Sequence, residues 1–280
     1  TQNPGAILRH LIHDMTLATA FLGIEMCQIQ ATDGEPLRLT CVGTGDAFGS
    51  GGRLNSCYHL QQQQRQLLLD CGSSSLIGLQ RCGLRPVDVG AVIVSHLHGD
   101  HFGGIPYLLL EGKYVSQRRS PLTLVGPAAL QQRVETTLNA LYPGVLEDGL
   151  GFSVNYLILD PEQIVEIEGF QLSCYQLRHG RSAEVYGLRV ETSGKTLSYT
   201  GDTEWVDNLI PLARNADLLI AECCAYAQPA ASHLGYQTLF QRGDELGARR
   251  LVLTHMGPQV LARLDSLQLE TLNDGDLIVL

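Results

Sequence analysis

The 280-residue chain predicts an α/β (α+β) protein built in four layers, helix–sheet–sheet–helix. Three observations carry this. Short apolar runs of strand length recur along both halves of the chain. Helical stretches interleave with them. Two pairs of runs, 57–61 with 66–72 and 186–192 with 195–202, are joined by so few residues that they read as hairpins, so one all-parallel sheet does not fit.

In the first half the strand candidates are "LRLTCVG" (37–43), "CYHLQ" (57–61), "QLLLDCG" (66–72), "AVIVSH" (91–96) and "LTLVG" (122–126). The second half gives "FQLSCYQLRH" (170–179), "YGLRVET" (186–192), "KTLSYTGD" (195–202), "DLLIAE" (217–222), "RLVLTH" (250–255) and "DLIVL" (276–280). The glutamines Gln61 to Gln64 mark the turn of the first hairpin. "SSLIGLQRCG" (74–83) spaces its apolar residues helically and closes at Gly83, a C-cap. "PAALQQRVETTLNAL" (127–141) opens with Pro127 in its first turn, where a missing N–H costs nothing. "VDNLIPLARN" (206–215) and "GYQTLFQRGDELG" (235–247) are shorter helices. The length suits one large domain over residues 35–280, with residues 1–34 as an N-terminal extension.

Composition narrows the function. The formal net charge of −10 supplies no global field toward nucleic acid or anionic membrane. The one short basic cluster, "GKYVSQRR" (112–119), reads as a solvated loop. The eight cysteines, at 27, 41, 57, 71, 82, 174, 223 and 224, show no zinc-finger spacing. Several sit in apolar runs, so they read as reduced, buried thiols and favour the cytoplasm. No apolar run reaches the roughly 18 residues of a membrane span. "MTLATAFLGIEMC" (15–27) carries Glu25 and lacks a preceding basic region, so it reads as a short helix or leader rather than a signal peptide.

The chemistry concentrates where strands end. His96, His179, Asp202 and His255 each follow an apolar run, the position from which a rigid scaffold aims side chains into a shared cleft. In "HLHGDH" (96–101), His96 and His98 sit two apart, and Gly99 allows the bend that brings Asp100 and His101 along. Neutral imidazoles and carboxylates are ligands for divalent zinc, manganese or iron. Without an ion they are hard to desolvate together.

The set HxHxDH, a later His179, "GDT" (201–203) and a final strand-end His255 resembles the metallo-β-lactamase-fold hydrolases over roughly residues 37–280. The resemblance implies a four-layer αββα sandwich with two divalent ions between the sheets, zinc first and manganese or iron as alternatives. It implies that His96, His98 and His179 hold one ion, that Asp100, His101 and His255 hold the other, and that Asp202 bridges both.

"GTGDAFGSGGRLNSCY" (43–58) resembles the opening of ribonuclease Z and related phosphodiesterases, and the N–H groups of such a turn can face a phosphate. In that branch an acidic residue ends a strand and a downstream histidine reaches the site; the matching residues are Glu222 and His233. The resemblance assigns His233 to the phosphate and leaving group, Glu222 to orienting a histidine, and Asp100 to orienting the nucleophile as well as ligation. Three departures argue against tRNA. Leu234 replaces the Ser or Thr usual after that histidine. His255 stands in "THMGPQ". No long Gly-rich basic insertion is present to grip tRNA.

The expected activity is therefore hydrolysis of a small or cyclic nucleotide-type phosphodiester by a water activated between two ions, in a protein with no membrane partner and a homodimeric state suggested by its relatives. Thioester or lactone hydrolysis of the glyoxalase II type and tRNA 3′ processing are the alternatives. The β-lactamase branch, which usually has Cys at the place of Asp202, fits less well. A diiron oxidoreductase would need an attached redox domain. A non-catalytic binder would not need the whole ligand set.

Overall fold

The computed structural model describes residues 35–161, 163–182, 184–227 and 232–280. The expectations for the extension at 1–34, the apolar stretch 15–27 and Cys27 lie outside these residues.

The first half runs β1 (Arg38–Gly43), β2 (Cys57–Gln62), β3 (Arg65–Leu69), α1 (Ser75–Arg81), β4 (Ala91–Ile93), α2 (Gly99–Phe102), α3 (Ile105–Tyr114), β5 (Leu122–Gly126), α4 (Leu130–Leu141) and β6 (Val154–Ile158). The second half runs β7 (Val165–Ile167), β8 (Phe170–Gln176), β9 (Tyr186–Thr192), β10 (Lys195–Tyr199), α5 (Leu209–Ala213), β11 (Leu218–Glu222), α6 (Tyr236–Arg242), β12 (Leu251–Thr254), α7 (Pro258–Leu261), β13 (Glu270–Thr271) and β14 (Leu277–Val279). Two seven-stranded mixed sheets result, ordered β14-β1-β2-β3-β4-β5-β6 and β13-β12-β11-β10-β9-β8-β7. Both expected hairpins form, with Tyr58 opposite Leu69 and Leu197 opposite Val190. β3 to β6 and β10 to β13 run parallel, as crossover helices require.

Alternation along single strands explains the layers. Leu67, Leu69, Ala91, Ile93, Leu218 and Ile220 point between the sheets and are fully buried there. Their neighbours Leu68 and Val92 face Leu79, Ile105, Leu108 and Val134 of α1, α3 and α4. Leu219 and Ala221 face Leu209, Leu212 and Leu239 of α5 and α6. Strands buried on both faces read as continuous apolar runs, and each such leucine gains roughly 1.5–3 kcal/mol from burial.

Two local expectations are corrected. Pro127 lies before α4 and not in its first turn: its carbonyl accepts the Leu130 N–H, and Ala129 is the N-cap. The basic cluster at 112–119 is not simply a solvated loop. Gly112 to Tyr114 close α3, and Arg118, 4% exposed, donates to the carbonyls of Val89, Ser120 and Pro121. All seven described cysteines are free thiols, and five are buried. Among the described residues no helix is long and apolar enough to cross a membrane.

Candidate metal centre

Each half of the chain delivers its polar residues at or just past the end of a strand. β4 ends at Ile93, and the chain continues through Ser95 and His96 into the short helix α2, which carries Asp100 and His101. β8, β10, β11 and β12 are followed or ended by His179, Asp202, Glu222 and His255. The seven residues singled out from the motifs converge as two groups. One is His96, His98, His179 and Asp202; the other is Asp100, His101, Asp202 and His255. Within each group, one donor atom per residue lies within 4.8 Å of the others.

His255 Nε2 lies 3.2 Å from Asp100 Oδ2 and His179 Nε2 3.2 Å from His98 Nδ1, but other donor atoms are left without a partner. His101 Nε2 is 3.3 Å from both Asp100 Oδ2 and Asp202 Oδ1, yet has no hydrogen bond. His96 Nε2 and Asp202 Oδ1 are buried without a partner as well. Orphaned buried polar atoms are costly, and a divalent ion in each group would satisfy them. The residues present therefore fit two ions.

The other ring nitrogens fix the tautomers. Asp70 was not anticipated from the motifs, although "QLLLDCG" places it at a strand end. It is fully buried, with φ +57°, and its carboxylate accepts four donors: Ser95 N at 2.8 Å, Ser95 Oγ at 2.9 Å, His101 Nδ1 at 2.7 Å and Tyr199 OH at 2.8 Å. Because a carboxylate only accepts, His101 keeps its proton on Nδ1 and turns a lone pair of Nε2 into the site. Ser95 Oγ spends its proton on Asp70 and so accepts from His96 Nδ1 at 3.1 Å, which frees His96 Nε2 in the same way. His179 Nδ1 donates to the Ser232 carbonyl at 2.8 Å. One carboxylate thus orients two of the imidazoles.

The two groups differ electrostatically. Burial, reinforced by neighbouring imidazoles, lowers the proton affinity of His96, His98 and His179. These rings stay neutral, as ligation requires. On the other side burial also opposes charge, but carboxylates win. Asp202 and Asp70 raise His101 well above the ordinary histidine value, and Asp202 and Asp100 push His255 up to about 9. Burial likewise works to raise Asp100, and His101 and His255 override it and hold Asp100 well below the usual carboxylate range. A field that draws protons onto two histidines attracts a metal cation too.

Glu222 and His233, expected to act together, do meet: His233 Nδ1 donates to Glu222 Oε1 at 2.9 Å and lies 4.0 Å from Asp202 Oδ2. Glu222 is fully buried and pinned by Thr203 N at 2.7 Å and Cys224 N at 3.3 Å. Burial disfavours charge on His233, and Glu222 reverses the balance, so His233 holds its proton more tightly than a free histidine. His233 remains partly exposed at its ring, 19%.

Similar proteins carry the same architecture. The probable metallo-hydrolase YhfI of Bacillus subtilis (strain 168) is 27% identical over 228 residues, covering 79% of this chain and 87% of that protein. The crystal structure of YhfI, a metallo-beta-lactamase fold protein, matches with a TM-score of 0.71 at 25% identity over 88% of this chain and 100% of that one. A ribonuclease Z of Methanosarcina acetivorans is 25% identical over 272 residues, 79% of this chain and 87% of the relative. The human short-form tRNase Z structure gives a TM-score of 0.69 at 26% identity over 86% and 98% of the two chains. The family model described as Anti-Pycsar protein Apyc1 matches residues 37–270. With that match spanning both sheets, the chain belongs to the Anti-Pycsar protein Apyc1 family, in the ribonuclease Z-like branch of the metallo-β-lactamase-fold hydrolases.

Proposed function

We propose that the protein is a phosphodiesterase that hydrolyses a small or cyclic nucleotide-type phosphodiester at a dinuclear metal centre. In this reading His96, His98 and His179 would hold one ion, Asp100, His101 and His255 would hold the other, and Asp202 would serve both. Zinc is the first candidate, and manganese or iron suit the same nitrogen and oxygen donors. Two such ions would supply Lewis acidity for the phosphate oxygens and for activating a water near neutral pH.

The chain's own residues do the rest. Asp100, with one carboxylate oxygen facing His101 and His255, accepts a proton bond from the attacking water and orients it. His233, charged through Glu222, presents its Nε2–H to the leaving oxygen and donates the proton as the P–O bond breaks. Glu222 acts through His233 by fixing its tautomer and charge. The observation that carries the reading is this pair, seated 4.0 Å from the shared carboxylate Asp202. Hydrolysis of a thioester needs no such proton donor, because a thiolate is a good leaving group. The net charge of −10 favours a small substrate over tRNA.

Turnover of bis-p-nitrophenyl phosphate and of a panel of cyclic nucleotides, set beside a thioester and lactone panel and a tRNA precursor, tests the proposal. Phosphodiester turnover is expected. Thioester turnover with none on phosphodiesters would overturn it, and a marked preference for precursor tRNA would replace the small substrate with RNA.

A further inference from the structure

The loop between β1 and β2 carries an aromatic side chain that the fold leaves uncovered. Phe48 is 91% exposed, the highest of the large hydrophobic residues described. Phe102 and Phe170 are buried, and leaving a Phe in water forgoes roughly 1.5–3 kcal/mol of burial.

The loop itself is firmly built. The Asp46 carboxylate, 3% exposed, accepts Phe48 N at 3.1 Å, Ser50 N at 2.8 Å and Ser50 Oγ at 2.6 Å. Asn55 Nδ2 donates to the Asp46 carbonyl at 3.0 Å, and Gly45 N to the Leu54 carbonyl at 2.6 Å. At Gly43 and Gly45 an added Cβ would lie 2.0 Å from the Asn55 carbonyl oxygen and 2.8 Å from the Arg53 Cβ, so the two arms of the loop press together.

Both ends of the loop rest on the metal centre. The Thr44 carbonyl accepts the backbone N–H of His255 at 2.9 Å. At the other end, the space beside Gly72 is shared by Asn55 Cβ and the Asp100 carbonyl, 2.5 and 2.1 Å from where a Cβ would stand. Phe48 is therefore carried on a rigid loop whose two ends pack against the segments that carry His255 and Asp100.

We infer that Phe48 is a specificity-determining platform on which the base of a nucleotide substrate stacks while its phosphodiester occupies the centre. This rests on the proposed phosphodiesterase activity and adds the group that recognises the rest of the substrate. A ribose separates base from phosphate, which suits an aromatic face outside the ligand set. Stacking accepts every base, because each has a π-face. Purine and pyrimidine substrates should therefore both be served.

The test uses the metal-loaded full chain with a cyclic nucleotide and with trimethylene phosphate, a cyclic phosphodiester without a base. Phe48→Ala should raise KM for the nucleotide about 5- to 150-fold, the ratio matching ~1–3 kcal/mol of base stacking, with kcat nearly unchanged. The base-free diester should be turned over equally by both proteins, with an unaltered thermal midpoint. Phe48→Trp should restore the nucleotide KM, and its fluorescence should be quenched by a nucleoside monophosphate. An unchanged nucleotide KM overturns the inference alone. A matching loss on the base-free diester assigns Phe48 a structural role and also overturns it. A shift in oligomeric state with KM unchanged gives the ring to a protein interface instead. No turnover of any cyclic nucleotide by the unmodified protein overturns both this inference and the activity it rests on.

Discussion

Replacing Asp70 by Asn should weaken the site without touching any proposed metal ligand. Asp70 Oδ2 accepts three donors, from Ser95, His101 and Tyr199, and Oδ1 accepts the Ser95 N–H. An amide has one accepting end. If its oxygen faces the three donors, its NH2 group opposes Ser95 N–H, and a fully buried donor loses its partner at a cost of about 1–3 kcal/mol. If the amide turns over, its N–H meets His101 Nδ1. That ring then moves its proton to Nε2, the atom proposed to hold an ion. Either orientation predicts a loss: the first in stability, the second in metal affinity by about 10- to 100-fold. Competition against a chromogenic chelator measures the affinity, and a thermal melt of the metal-free protein measures the stability, at about 2–4 °C per kcal/mol for a chain of this size. Both effects can be shared between the orientations. An Asp70→Asn protein with unchanged zinc affinity and unchanged melting would refute the role of Asp70 as the support of His101 and His96.

Other perturbations follow from the same geometry. His233→Ala should lower kcat on a cyclic nucleotide by about 10²–10⁴-fold and lower it far less on bis-p-nitrophenyl phosphate, whose leaving group needs no proton; equal losses on the two would remove His233 as the proton donor. Gly72→Ala would place a Cβ 2.1 Å from the Asp100 carbonyl oxygen, so a urea melt should show a loss of about 1–3 kcal/mol together with reduced metal binding. His59 is buried in β2 beside Gln66 Oε1, 2.9 Å away, and burial lowers its proton affinity more than Gln66 restores it. The unfolded chain, with histidine near pKa 6.5, then takes up the proton first, so this contribution to stability is complete above about pH 6.5 and is lost as pH falls through that value. His59→Gln should flatten the dependence of unfolding free energy on pH between about 7 and 5.

The long parallel strands were legible because they are buried on both faces and read as unbroken apolar runs, such as "LLIAE" at β11 and "LVLT" at β12. β6 and β7 were not, because they lie at sheet edges and leave Asn155, Leu157, Ile158 and Glu166 exposed, which erases any periodic signal. The helix α3, "IPYLLLEGKY", shows little helical period for the opposite reason: most of its residues are apolar and buried. The ligand candidates stood out because six residues, 96 to 101, concentrate four of them. Asp70 did not, since one aspartate ending a strand resembles any turn, and its meaning comes from His101, 31 residues later, folding down onto it. The packing of the Phe48 loop's two ends against the segments that carry His255 and Asp100 is equally a tertiary fact.

The two groups around Asp202 take His96, His98, Asp100 and His101 from the first half of the chain and His179, Asp202 and His255 from the second. Ions bound there would act as rivets through the seam between two sheets. Such rivets couple supply to survival: at a free ion concentration a hundredfold above the dissociation constant, the folded state gains about 2.7 kcal/mol over the unfolded one. Depriving a cell of the ion would therefore lower not only the turnover of each molecule but also its resistance to proteolysis, and the amount of the protein would track metal availability.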